Sequence, residues 1–454
     1  MDLPYIFEQM LRGQLGDEYP KFIGALNETP PVSIRYNNRK ILNSELGTQN
    51  LELKKIPWHT EGVYLPERPS FTLDPAFHGG AYYVQEASSM FIAEALRQTV
   101  DLQEDVRAVD FCAAPGGKST LVASLLSKNS FLIANEVIKS RVEVLKENLI
   151  KWGYPSVCAT NHDVEDFAAL ENFFDVVLVD APCSGEGLFR KDPKAVSEWS
   201  PDAVQTCSAR QKRILAAAVK TLQPNGILLY STCTYNDFEN KENVEWLIQK
   251  FDLECVKLSV QAEWGIVEKP FGYQFYPHRV RGEGFFLSVF RKKNKGIPSL
   301  IMPKLNFEKL PKKQIEVVAR WLQNPNKFDF FLKPNGVVFV ILKKHIEYYA
   351  LIDKVLKRKS TGLEIGEFKG NDFIPSHDLA LSIEVAETTP SVNLEKMDAL
   401  RFLKKETFDF DFEQTPKGWA LVRYEGLALG WVKILSNRVN NYLPKDYRIR
   451  MAID

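Results

Sequence analysis

Residues 106–120 read VRAVDFCAAPGGKST: an apolar run ending at Asp110, then a small glycine-rich turn, then the start of a helix. A strand that enters a helix through such a turn lets backbone approach a ligand closely, at the carboxyl edge where open α/β sheets bind cofactors. The loop does not fit the pyrophosphate-binding patterns. A P-loop ending in GKST needs a glycine five residues before Gly117, and that position is Cys112. The G-x-G-x-x-G fingerprint is absent as well. What remains is a nucleoside cofactor without a pyrophosphate, and S-adenosyl-L-methionine is the candidate.

Outward from this loop, short apolar runs alternate with amphipathic segments. FLIAN (131–135), VCATN (157–161), DVVLV (175–179) and GILLY (226–230) read as strands. KSTLVASLL, KSRVEVLKENLIKWG and AVQTCSARQKRILAAAVKTL read as the helices between them. Continuous apolar strands separated by helices predict a parallel sheet covered on both faces, a doubly wound Rossmann-like α/β domain. NDFENKENVEWLIQKF, LECVKL and GFFLSVF extend it to about residue 292.

Ahead of this domain, a helical start and the strand-like PPVSIRYN point to an N-terminal α+β extension over 1–90. Behind the catalytic span 91–295, the basic, Gly- and Pro-broken RKKNKGIPSLIMP (291–303) reads as a linker. The rest reads as separately folded α+β structure, divided into 300–390 and 391–454. KVLKRKS (354–360) has by default the look of a solvated helix face.

Lys+Arg and Asp+Glu both number 58, so total charge favours no partner. The last 154 residues carry a net +5 and the first 300 a net −5, so any polyanion surface must be a local patch. The N-terminus lacks the basic-then-apolar pattern of a signal peptide. Apolar runs such as VVFVIL (337–342) fall far short of the ~20 residues a membrane span needs. Six cysteines, none in a C-x-x-C pair, argue against structural zinc. Free thiols in such a chain predict a cytoplasmic protein without a metal.

Two acids stand at successive strand ends. Glu136 follows FLIAN, where a carboxylate can accept from ribose hydroxyls, and Asp163 follows VCATN, suited to an adenine edge. Either could merely cap the next helix, but two in register with the loop favour the cofactor. At the fourth strand end stands Asp180-Ala181-Pro182-Cys183, and at the fifth stands Cys233 in GILLYSTCTY. Neighbouring strands turn both thiols toward one cleft. Carbon 5 of a pyrimidine is too poor a nucleophile to take a methyl group unaided; a thiolate adding at carbon 6 makes it an enamine that can. That chemistry needs a thiol, a proton source near N3 and help with elimination, and Cys233, Asp180 and Cys183 supply such a kit. A lone cysteine on a strand is usually a small buried hydrophobe. That reading is applied to Cys158, Cys207 and Cys255.

CAAPGGKST (112–120), VDAPCSGEGLFRKDP (179–193) and YSTCTYNDFENKENV (230–244) resemble the NOL1/NOP2/Sun family of RNA cytosine-C5 methyltransferases. YYVQEASSM (82–90) and PHRVRGEGFF (277–286) resemble its flanking motifs, and LGWVKILSNRVNNYLPKDYRIRM (429–451) resembles the PUA-like tail of the bacterial small-subunit (16S) rRNA methyltransferase F group. The resemblance implies that Cys233 is the nucleophile, that Cys183 assists product release and that Asp180 contacts the base. It also implies that Cys112, Ala113, Ala114, Pro115, Gly116, Gly117, Lys118, Glu136, Arg141, Asp163 and Asp180 line the S-adenosyl-L-methionine site. The implied partner is RNA, 16S rRNA or the small subunit, with the chain acting as a monomer and without membrane or metal. Within enzymes the rival substrate is tRNA; across classes the rival is a non-catalytic RNA-binding assembly factor. The target base must be unpaired or flipped out. Arg190 and Lys191 in FRKDP are candidates to hold its flanking phosphates, against the alternative of ordinary surface charge.

Overall fold

The computed structural model describes residues 2–41, 53–293, 303–370, 372–409 and 416–453. Most of the expected linker, 294–302 of 291–303, lies outside the described residues.

Five parallel strands form the centre: β1 (Arg107–Asp110), β2 (Phe131–Asn135), β3 (Val157–Thr160), β4 (Phe174–Asp180) and β5 (Leu222–Thr232). Their order is β5-β4-β1-β2-β3, and antiparallel strands 285–292, 272–275 and 267–269 continue the sheet beyond β5. The hairpin 267–275 carries no strand reading in the sequence. The chain leaves β1 toward β2 on one side and returns to β4 on the other, so the switch point lies between β1 and β4. Open α/β sheets bind ligands there, outside the carboxyl ends of the strands. The register places Asp110 beside Leu178 and Asp180 beside Ser231, so the functional strand ends come out level.

Side-chain alternation explains the unbroken apolar runs. Val177 and Val179 of β4 pack on one face with Phe111, Ile133, Ile214 and Leu228. Val176 and Leu178 pack on the other with Ala108, Leu132, Leu121 and Leu96. Helices cover both faces: α1 (Gly117–Leu125), α2 (Lys139–Trp152), α3 (Pro201–Thr221) and α4 (Lys241–Lys250). Local chemistry sets where α1 and α3 begin. Gly116 precedes α1 at φ +115°, a backbone that L side chains rarely adopt. Ser200 caps α3, accepting from Ala203 N, with Pro201 at the first helical position.

The N-terminal extension has helices over Tyr5–Leu15 and Tyr19–Leu26 and a four-stranded sheet between 32 and 84. Two more sheets follow the catalytic domain, one of five strands between 308 and 375 and one of four between 391 and 441. The first of these does not pack apart from the catalytic domain as expected. Phe331, Phe339, Tyr349 and Ile352 join the core that contains Phe131 and Phe173, and the Phe131 and Tyr349 rings meet edge-on at 5.2 Å. KVLKRKS is likewise no solvated helix face. Its helix stops at Val355, Lys359 then bridges Thr160, and Ser360 exchanges two hydrogen bonds with Ala159. The segment closes the open edge of β3, which would otherwise expose unpaired backbone. No helix among the described residues is long and apolar enough to cross a membrane.

Candidate active site

The carboxyl ends of the parallel strands open into a cavity of about 470 Å³. Cys112, Ala114, Glu136, Arg141, Asp163, Asp180, Cys183 and Cys233 all line it. Residues that sequence reasoning places as far as 121 positions apart, from Cys112 to Cys233, thus share one wall-to-wall space.

At one end lie the thiols. Cys183 Sγ and Cys233 Sγ are 3.0 Å apart, and Cys233 N donates to Cys183 Sγ at 3.4 Å. The hydrogen bond to Cys233 and burial push the Cys183 thiol well above the usual range, so Cys183 keeps its proton and its S–H can donate to Cys233 Sγ. Asp180 accepts from Lys118 Nζ at 2.7 Å and from Ser231 Oγ at 2.7 Å. Burial works against the Lys118 ammonium, but the neighbouring groups, Asp180 foremost, together raise its pKa. Deeper in the sheet, burial pushes the Asp110 carboxyl up to about 7, although Ser119 Oγ donates to it. The remaining cysteines read as inert: burial raises Cys112, Cys158, Cys207 and Cys255 alike.

At the other end lie the acids. Glu136 is 3% exposed; its Oε1 accepts from Ile138 N at 2.9 Å. Its buried Oε2 has the Arg141 guanidinium 3.2 Å away but accepts no hydrogen bond among the described residues. Arg141 also donates to Ala114 O at 2.7 Å, tying the glycine-rich loop to α2. Asp163 caps a helical turn, accepting from Glu165 N, and also lines the cavity. It further takes a two-pronged bond from Arg213 at 2.9 and 3.0 Å.

Ala113, Pro115, Gly116, Gly117 and Lys118 stand behind the wall rather than on it. Ala113 N donates to Asn135 O, Gly116 and Gly117 begin α1, and Lys118 acts through Asp180. Arg190 is not free to hold a phosphate. Its side chain is 4% exposed, paired with buried Glu283, and donates to Ala25 O and Gly282 O. It is an internal strut because the charge of Glu283 has to be met inside the protein. Lys191 shares Glu283 at 3.3 Å but remains 36% exposed.

Sequence reasoning missed Ser231, Arg210, Arg213, Glu186 and Glu239. For Ser231 a signal existed: in STCTY it lies two residues before Cys233, hence on the same strand face. Arg210 and Arg213 lie one turn apart on α3 and line the cavity, but nothing local distinguishes them from solvent-facing arginines. Among the described residues no group of three or more His, Cys, Asp or Glu could hold a metal ion.

Comparison with known proteins agrees with the motifs. Residues 97–291 match the family described as 16S rRNA methyltransferase RsmB/F. Residues 3–87 match the N-terminal domain of 16S rRNA methyltransferase RsmF, and residues 389–449 match the methyltransferase RsmF PUA domain. The chain is 31% identical over 447 residues to ribosomal RNA small subunit methyltransferase F of Aeromonas salmonicida, covering 94% of this chain and 92% of that protein. It is 30% identical over 449 residues to the protein of the same name from Vibrio campbellii, covering 94% and 93%. A solved methyltransferase homolog protein from Pyrococcus horikoshii superposes with a TM-score of 0.55 at 29% identity, over 63% of this chain and 94% of that one. End-to-end likeness of this kind shows that the chain belongs to the ribosomal RNA small subunit methyltransferase F family.

Proposed function

We propose that this chain methylates carbon 5 of a cytosine in 16S rRNA, with Cys233 as the nucleophile. Family membership makes it an S-adenosyl-L-methionine-dependent rRNA methyltransferase. The observation that carries the cytosine-C5 reading is the pair of thiols 3.0 Å apart beside Asp180. One thiol would suit many chemistries; two in contact, one keeping its proton, suit addition followed by elimination.

The cavity fits the cofactor. A buried carboxylate oxygen without a hydrogen-bond donor, on Glu136, is what a ribose hydroxyl would satisfy. S-adenosyl-L-methionine bound there supplies an electrophilic methyl group on a sulfonium. The protein does the rest. Cys233 Sγ adds to carbon 6, and the electrons of the 5,6 double bond become available at carbon 5. Asp180 faces the base edge; with the Lys118 ammonium 2.7 Å behind it, the pair rather than the carboxylate alone holds the proton that N3 needs. Carbon 5 then takes the methyl group and gives up its proton to water in the cavity, while N3 returns its proton to the Asp180–Lys118 pair. The double bond re-forms, the carbon 6–sulfur bond breaks, and Cys183 S–H donates to the departing sulfur.

The strand flanking the cytosine lies, in this reading, in the groove of about 1340 Å³ between the N-terminal sheet and residues 277–282. Lys191, Arg68, Arg279 and Arg281 are exposed cations along it, Arg279 being paired with Glu18. Boundaries near residues 90, 295 and 390 complete the reading, supported by the spans of the three family matches. A cytoplasmic location and action as a monomer also belong to the reading, the location supported by the six free cysteines.

RNA carrying 5-fluorocytidine at the target tests the proposal, because fluorine cannot leave as the proton does. Wild-type protein should form an adduct that survives denaturation, and Cys233→Ala should form none. An adduct retained by Cys233→Ala would sink the nucleophile assignment.

A further inference from the structure

Two loops bring the thiols together, tied by polar groups as well as by the packing of Phe189 and Tyr235 in one buried aromatic cluster. The loop after β4 carries Cys183, and the loop after β5 carries Cys233. Between them stands Glu186, fully buried, on the turn Glu186–Leu188. Its Oε2 accepts from Thr234 Oγ1 at 2.5 Å, Tyr235 N at 2.7 Å and Asn236 N at 3.0 Å. Its Oε1 accepts from Asn236 Nδ2 at 2.8 Å and Trp199 Nε1 at 2.9 Å. Five donors converge on one side chain and no ion pair meets it among the described residues. Four of the five come from the three residues that follow Cys233.

A buried carboxylate is costly unless its oxygens are fully met by donors. The arrangement that meets them here is the one that fixes the Cys233 loop against the Cys183 loop. Glu239 reinforces it from the other side, accepting from Ser184 N at 3.1 Å and from Asn236 Nδ2 at 2.8 Å. Gly187 shows how close the loops come. Its N donates to Cys233 O at 2.8 Å, and a Cβ there would stand 2.9 Å from that same oxygen.

We propose that Glu186 is a positioning residue that holds Cys233 in register with Cys183, by gathering the backbone and side-chain donors of residues 234–236. It rests on the cytosine-C5 reading only for its effect on turnover; the register of the two sulfurs can be measured without RNA. Glu186 touches neither sulfur, and its carboxylate keeps two loops from drifting apart. In an addition that requires a sulfur aimed at one carbon, a misplacement near 1 Å costs about 100-fold.

The test is oxidative closure of the sulfur pair by diamide, followed by peptide mapping of the Cys183–Cys233 link. Two thiols lose two protons and two electrons, and the diazene becomes the hydrazine. Thiols 3.0 Å apart should close quickly in wild-type protein. Glu186→Gln keeps the size but turns an amide NH2 toward donors. It should slow closure by about 10-fold and lower kcat by roughly 10- to 100-fold, with the RNA KM and cofactor Kd within about 2-fold. Thr234→Val deletes one donor and keeps the branched shape. It should slow closure by roughly 3- to 10-fold, and it decides the matter alone if Glu186→Gln does not fold. Closure at the wild-type rate in folded Glu186→Gln, or in Thr234→Val when that variant decides, overturns the proposal, whatever happens to kcat. If wild-type protein forms no adduct with 5-fluorocytidine RNA, the reaction assignment fails, while the closure rates still judge Glu186.

Discussion

The two ends of the cavity are built on opposite plans. At the thiol end the protein meets its own polar groups: Asp180 has Lys118 and Ser231, Glu186 has five donors, and Glu239 has Ser184, Asn236 and Gln211. At the cofactor end Glu136 keeps an oxygen without a donor, and Asp163 leans on Arg213, which is 46% exposed. Under the proposed chemistry the difference separates aiming a nucleophile from binding a cofactor. Groups that aim a nucleophile are preorganised by the fold, whereas groups that bind a diffusing nucleoside keep acceptors to offer it.

Mutations should separate the two plans. Cys233→Ala should have the largest effect, lowering methyl transfer by at least about 10⁴-fold while leaving cofactor binding unchanged by calorimetry. Cys183→Ala comes next. Turnover should fall by roughly 100- to 1000-fold because release stalls, and adduct should accumulate with ordinary RNA on a denaturing gel. Abolition of the adduct by this variant would reverse the two thiol roles.

At the cofactor end, Glu136→Gln retains an acceptor for Ile138 N but loses the charge offered to the ribose. Its Kd for S-adenosyl-L-methionine should rise by roughly 10- to 100-fold, the equivalent of about 1.5–3 kcal/mol for a hydrogen bond to a charged group. Diamide closure should stay at the wild-type rate; slowed closure would mean that the ends are not independent. Arg213→Gln loosens only an exposed ion pair, worth about 0.2–1 kcal/mol, so Kd should rise by no more than about 5-fold. Lys191→Ala touches neither end. It should weaken RNA binding by about 3-fold and reduce the salt slope of log K by about 1, with an unchanged cofactor Kd.

How much of this was legible in the sequence differs by region for physical reasons. The strands were readable because a sheet buried on both faces needs unbroken apolar runs, as in DVVLV and GILLY. The hairpin at 267–275 was not, since VEK and GYQF are short and mixed in polarity. KVLKRKS was misread because its charges resemble a solvated face, while its backbone goes to the edge of β3 and Lys359 is buried against Asp353. Arg190 was misread for the same reason: a charge beside a catalytic motif looks available until its partner Glu283, 93 residues away, is seen.

By itself the sequence determined the doubly wound domain, the glycine-rich loop after its first strand and which residue types stand at the strand ends. These depend on local pattern: apolar period, a turn that only small residues allow, and residue types standing at strand ends. Tertiary structure alone decided the 3.0 Å between the sulfurs, the Lys118–Asp180 pair, and which charges face solvent. Those depend on strand order and on buried carboxylates such as Glu186, whose partners come from elements about fifty residues apart. No local pattern records them, because a hydrogen bond across a sheet is set by where the chain returns and not by what lies next to it.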